Sequence, residues 1–236
     1  MNHALQTLHN QRWDFWQARA AVVLVVALQL LLVNDLAVGP RWLAPALELA
    51  LLIPLSIATA WTQSKAHAAS TDHQWRLLGR QRRAVRILAL VLTALITLMN
   101  FGALLELLHT IFAGHAGTGR TLLIDALNIW ATNVIAFALW FWGIDRGGPA
   151  ARGLNGGRES DFLFPQQQGN LPPERYAGWT PGFIDYVFVA YSTATAFSPA
   201  DTFPLTVRAK LLMMLESMVS LLTIALVAAR AVGILA

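Results

Sequence analysis

Glu216, Ser220 and Thr223 recur at i, i+4 and i+7 inside the apolar run "LLMMLESMVSLLTIALVAA". On a helix that spacing puts them on one face. Ionisable groups inside a bilayer are costly and point to function. A carboxylate followed by hydroxyls can line a water path or hold an ion. The same pattern also packs helices through small and hydroxyl residues, with Glu216 snorkelling or paired to Lys210. Val227 is next on that face, so the stripe stops after about two turns. A second set lies just upstream, in "AYSTATAFSPADTFPLTVRAK". Thr193, Thr195 and Ser198 end a short apolar segment, and Asp201 sits between the breakers Pro199 and Pro204. Such a hinge is a plain loop or the mouth of a pore.

A third set is spread over two apolar blocks. Asn100, Glu106 and His109 lie in one; Asp125, Asn128 and Asn133 lie in the next. Glu106 and His109 share a face three residues apart. A Glu-x-x-His pair is a carboxylate-metal pattern in helical bundles. It needs partners from other helices, and the sequence holds no second copy, so a proton relay or a packing pair is expected and no metal. The Gly-containing turn "HAGTGR" makes the two blocks antiparallel neighbours. Asn100, Glu106, His109, Asp125 and Asn128 are therefore expected as a buried polar cluster, either structural glue or a cation site. Asn34, Asp35 and Glu48 read as membrane-boundary residues.

Other chemistry is thin. The chain has no cysteine, which excludes disulfides, thiolate metal sites and cysteine nucleophiles. "GTGR" and "NGGR" lack the rest of a phosphate loop, and His-Glu-x-x-His is absent. A Gly-x-Ser-x-Gly elbow is absent too. No intramembrane Ser/His or paired-Asp arrangement can be built. No catalytic residue and no cofactor are expected, and an intramembrane enzyme is the least favoured reading.

The elements that must carry these residues are membrane-sized. Of 236 residues, 56% are hydrophobic and 13% charged, about half the charge of a soluble domain. Apolar blocks cover 20–38, 42–61, 87–114 and 121–144. Each approaches or exceeds the roughly 20 residues that cross a 30 Å hydrocarbon core. A short block, 182–197, and a final helix bracketed by Lys210 and Arg230 follow. Tryptophans near block ends, such as Trp13, Trp16, Trp42, Trp61, Trp140 and Trp142, fit interfacial anchoring. The first block is too long for a signal peptide core and meets Asn34-Asp35 in place of a cleavage site, so it reads as a retained helix. Pro54 predicts a kink in the second.

The expected organisation is a cytoplasmic segment 1–19 and a four-helix region 20–144 with a basic linker at 62–86. A polar loop, 145–181, leads to a module, 182–236. In the loop, "FLFP" is expected at the interface. The fold class is an all-α polytopic bundle: five full transmembrane helices plus one short or re-entrant segment before the last. Lys65, Arg76, Arg80, Arg82, Arg83 and Arg86 crowd the linker. With the N-terminus inside and six crossings, thirteen Lys/Arg fall inside and four outside. If 182–197 dips and returns, the split is fourteen to three. Either favours N-terminus in, in a bacterial inner membrane. The partners expected are the bilayer and anionic headgroups at the basic linker. No nucleic acid is expected. A pore lined by one helix per chain would require a homo-oligomer.

The C-terminal quarter, "FIDYVFVAYSTATAFSPADTFPLTVRAKLLMMLESMVSLLTIALVAARAVGIL", resembles a pore-loop cation-channel module. The resemblance implies a half-helix opened by Asp185 and running through Tyr191-Ser192 to Thr193 and Thr195. It also implies a hinge closed by Asp201, and an inner helix opened by Lys210 to Glu216. The stretch 196–201 has no glycine, so it lacks a potassium filter's run of carbonyls. The whole chain resembles a family of bacterial integral membrane proteins grouped as a domain of unknown function. The resemblances imply a channel- or transporter-like protein for a small cation. A non-transporting scaffold or assembly subunit is the alternative.

Overall fold

The computed structural model describes residues 2–32, 45–46, 48–50, 53, 72–113, 119–149, 159–169, 172, 176, 179–195 and 202–235. It is mostly helical. Helix α1 spans Asn2–Leu32, α2 Asp72–Phe112, α3 Gly119–Ile144, α4 Phe183–Thr195 and α5 Val207–Leu235. Two short strands, β1 (Phe162–Leu163) and β2 (Phe203–Pro204), pair antiparallel.

Three helical stretches are long and apolar enough to cross a membrane: Arg83–Phe112, Gly119–Gly147 and Val207–Ala229. A shorter apolar stretch is Phe15–Leu30. The second apolar block falls mostly outside the described residues, as does the expected kink at Pro54. The second half of the basic linker, whose Arg76, Arg80 and Arg83 stand at helical spacing, is helical and runs into the third block as one helix, α2, of 41 residues. Arginine and leucine are good helix formers and no proline intervenes, so nothing stops the helix at the charge boundary. The apolar part alone, 30 residues, rises about 45 Å, longer than a hydrocarbon core of about 30 Å.

Helix α3 is the centre. In its most apolar window 67% of residues are buried, against 28% in the windows of α2 and α5. Helices α1, α2, α4 and α5 all pack on it. It is the helix apolar on nearly every side, which is what a helix surrounded by others requires. The outer faces of α2 and α5 carry exposed Leu98, Leu105, Met214, Met218 and Leu221, as lipid-facing helices do.

Candidate functional site

At the C-terminal end of α3 the chain reverses within a few residues. Arg146, Gly147 and Gly148 all have positive φ (51°, 85° and 89°). A Cβ on Gly148 would sit 2.9 Å from the Gly143 carbonyl oxygen, so only glycine fits there. The turn directs the polar loop back over the helix end. Phe162 and Phe164 are buried in the core. Phe162 meets Phe141 and Tyr186, and Phe164 meets Trp179 and Tyr186. Aromatic residues in this loop find aromatic partners at the α3 end, which holds the loop in place.

Two fully buried carboxylates organise this end. Asp145 Oδ1 accepts the Asp161 amide at 2.7 Å and the Ser160 hydroxyl at 3.3 Å. Its Oδ2 accepts the Tyr186 hydroxyl at 2.5 Å. Asp161 Oδ1 accepts Thr206 Oγ1 and Arg208 Nε, both at 2.5 Å, and Oδ2 accepts Arg208 Nη2 at 2.6 Å. The Leu205 amide donates to the Asp161 carbonyl at 2.8 Å. Phe162 is registered against Pro204 and Leu163 against Phe203. Each carboxylate oxygen has at least one donor, the condition under which a buried charge is tolerated.

This latch fixes the topology around it. Tyr186 lies in the first turn of α4 and Arg208 in the first turn of α5, so both helices start at the same end of α3. Both then run back along α3. Tyr191 of α4 stacks edge-on against Trp130, with centroids 5.9 Å apart, and Ser220 of α5 reaches Asn133. The 13 residues of α4 rise about 20 Å. Seven peptide steps, at most about 25 Å of chain, join Thr195 to Thr202 at the latch end. Asp185 starts α4 by accepting the Gly182 amide at 2.7 Å, half of a capping box.

The seam between α3 and α5 holds the first set of sequence candidates. Glu216, Ser220 and Thr223 are 0%, 1% and 1% exposed. Asn133, 2% exposed, donates from Nδ2 to the Glu216 carbonyl at 3.2 Å and to Ser220 Oγ at 2.9 Å. Thr223 donates to its own helix at Val219. Neither carboxylate oxygen of Glu216 has a hydrogen-bond donor among the described residues. A carboxylate so placed is neutralised by a proton or a cation, because an isolated buried charge is prohibitively costly.

The other candidates are placed as follows. Thr193 and Thr195 are half-buried and donate to the Val189 and Tyr191 carbonyls, at 2.8 and 2.9 Å. Their oxygens keep acceptor capacity at the last turn of α4. Ser198 and Asp201 lie outside the described residues. Asn100, Asp125 and Asn128 are buried, Glu106 is half-buried and His109 is exposed. Buried Leu104 and Leu107 set the inward face of that turn of α2, which leaves His109 on the outside. Among the described residues no group of three or more His, Cys, Asp or Glu side chains gathers as a metal would need. Sequence reasoning missed Asp145, Asp161 and Tyr186. It read Arg208 only as a topological charge. The available signal was an aspartate immediately after a span in a loop otherwise rich in Gly, Pro and Gln.

No protein-family model, curated protein or solved structure matches the chain.

Proposed function

We propose that this is a multi-pass, channel- or transporter-like membrane protein for a small cation, with α4 as a re-entrant half-helix. The supporting observation is that α4 and α5 begin at one end of α3, anchored there by Asp145 and Asp161. A 20 Å helix does not cross a 30 Å core, so on this reading it dips in and returns. A half-helix, a return and a full span in succession make the layout of a pore loop. Thr193 and Thr195 stand at its tip and Glu216 and Ser220 on the adjoining helix; Ser198 and Asp201 fall between them in sequence, outside the described residues. Besides α4, the reading has five crossings: α1, the second block, α2, α3 and α5.

The latch end also carries Arg146 and Arg208 and, on α2 against Gly148, Arg86. Phe15 of α1 stacks on Trp142 there, which brings Arg19 within about a turn. Arg120 opens α3 at the other end. The positive-inside rule turns the basic end to the cytoplasm. The half-helix then enters from the cytoplasmic side, inverted relative to a potassium channel.

Single cysteines test this, since the chain has none of its own. Gln167→Cys and Lys210→Cys are probed in intact cells with a membrane-impermeant maleimide. Protection of both until the membrane is opened is the expected result. Labelling of Lys210→Cys alone means that α4 crosses and the pore-loop reading fails. Labelling of both from outside reverses the orientation.

One observation favours the scaffold reading. The α3–α5 seam is closed to solvent, and Asn133 uses it as helix-to-helix glue. Purified protein in liposomes separates the two readings. Cation flux that Glu216→Gln alters supports transport; no flux under any cation gradient supports the scaffold.

A further inference from the structure

Gln29 on α1 and Glu48 in the second block form a pair: Gln29 Nε2 donates to Glu48 Oε1 at 2.9 Å. Glu48 is fully buried. It was expected at a membrane boundary, where solvent would satisfy it. Instead two buried oxygens remain, Gln29 Oε1 and Glu48 Oε2, and neither has a donor among the described residues. Both are acceptors, so they cannot satisfy each other while the carboxyl group is ionised. A fully buried ionised carboxylate with one neutral donor is strongly unfavourable, and an amide oxygen without a donor adds to the cost.

A single proton answers both. Placed on Glu48 Oε2, it makes that oxygen a donor, and Gln29 Oε1 is the acceptor its bonded partner still offers. The groups then close as two antiparallel hydrogen bonds between a carboxylic acid and a primary amide. We propose that Glu48 and Gln29 form a proton-binding site, with Glu48 in the acid form and its proton shared with Gln29 Oε1. The titratable residues of α1 are His3, His9, Arg12, Asp14 and Arg19. All lie at least ten residues, about 15 Å of helix, before Gln29. Asp35, beyond α1, lies outside the described residues. Loss of the proton breaks one of the two bonds and leaves a buried charge, so the hold of α1 on the second block depends on protonation. The site uses none of the residues of the pore-loop reading and stands or falls separately from it.

Infrared spectroscopy of the full chain in lipid vesicles at neutral pH tests it. The expected result is a protonated-carboxyl C=O band that Glu48→Gln removes and Glu216→Gln leaves in place. Gln29→Leu should retain the band and move it to higher frequency, because the acid loses its hydrogen-bonded partner. Glu48→Gln keeps both bonds as an amide–amide pair, so its thermal midpoint should equal the wild type's, and Gln29→Leu should lower it. Absence of any protonated-carboxyl band in the wild type overturns the proposal without recourse to a variant. So does a wild-type midpoint that rises with sodium or potassium while no such band is present, which would mean that the oxygens hold a metal cation.

Discussion

The latch at the end of α3 and the seam between α3 and α5 each bury carboxylates completely, and they treat them in opposite ways. Asp145 and Asp161 receive an amide, three hydroxyls and a bidentate guanidinium between them. Glu216 receives none on its carboxylate among the described residues. The difference separates two uses of a buried acid. With every oxygen satisfied, the charge is a fixed anchor, and removing one partner is expensive. Without such donors a buried charge is costly, so neutralising the group should cost the fold little. The contrast divides the molecule into an end whose buried carboxylates are fully bonded and a seam whose carboxylate has no donor among the described residues.

The largest effect is expected at the anchor. Asp161→Ala leaves Arg208 and Thr206 without their common acceptor, while the Leu205 amide keeps the backbone carbonyl of residue 161. Breaking a buried pair costs about 3–5 kcal/mol. Arg208 is 54% exposed and can recover water, so about 2–3 kcal/mol is expected after that discount. Denaturant unfolding in detergent measures it. A loss under about 1 kcal/mol would make Asp161 an ordinary surface pair and remove the basis for calling this end an anchor.

Tyr186→Phe comes next. It keeps the ring against Phe162 and Phe164 and deletes only the hydroxyl on Asp145. A hydrogen bond to a charged acceptor is worth about 1.5–3 kcal/mol, and loss in that range is expected. Because the bond ties the first turn of α4 to α3, amide exchange in α4 should quicken more than in α5. Equal quickening in both helices would mean that the latch acts as one unit and does not hold the two separately.

Much of this was legible in the sequence. Block length and hydropathy located α1, α2, α3 and α5, because a bilayer demands about 20 apolar residues whatever else they do. The stripe Glu216, Ser220, Thr223 was readable as one face, and it is the buried one. The latch was not readable. Asp145 and Asp161 stand 15 to 47 residues from their donors, in a loop whose charges balance, and no helical period relates them. The loop's phenylalanines read as interfacial because a short aromatic run carries no sign of which partners it will meet. The Gln29–Glu48 pair joins residues 19 apart in sequence; Glu48 alone, near the start of its block, read as a solvated boundary, and Gln29 alone carried no signal.

Asn133→Val tests the seam's glue. It removes both donations to α5, to the Glu216 carbonyl and to Ser220 Oγ. Polar contacts between membrane helices are worth about 0.6–2 kcal/mol, so a loss near 1 kcal/mol is expected, below that of either latch variant. A loss as large as that of Asp161→Ala would erase the distinction between anchor and seam.

Glu216→Gln should have the smallest effect on stability and is the sharpest test of the comparison. The amide has nearly the shape of the carboxyl group, and the backbone carbonyl and Ser220 contacts with Asn133 do not involve the side chain of Glu216. If Glu216 is already neutralised, the variant replaces one uncharged group by another. The unfolding free energy should then stay within about 0.5 kcal/mol of the wild type. Any cation flux or cation-induced stabilisation should fall, because the amide keeps a neutral oxygen ligand but loses the negative charge and cannot take up a proton. Asp161→Asn, the equivalent isosteric change at the latch, should by contrast destabilise clearly, since it sets an amide against Arg208. Equal destabilisation by the two variants would show that Glu216 is an anchor like Asp161, with donors of its own, and the division between the end and the seam would collapse.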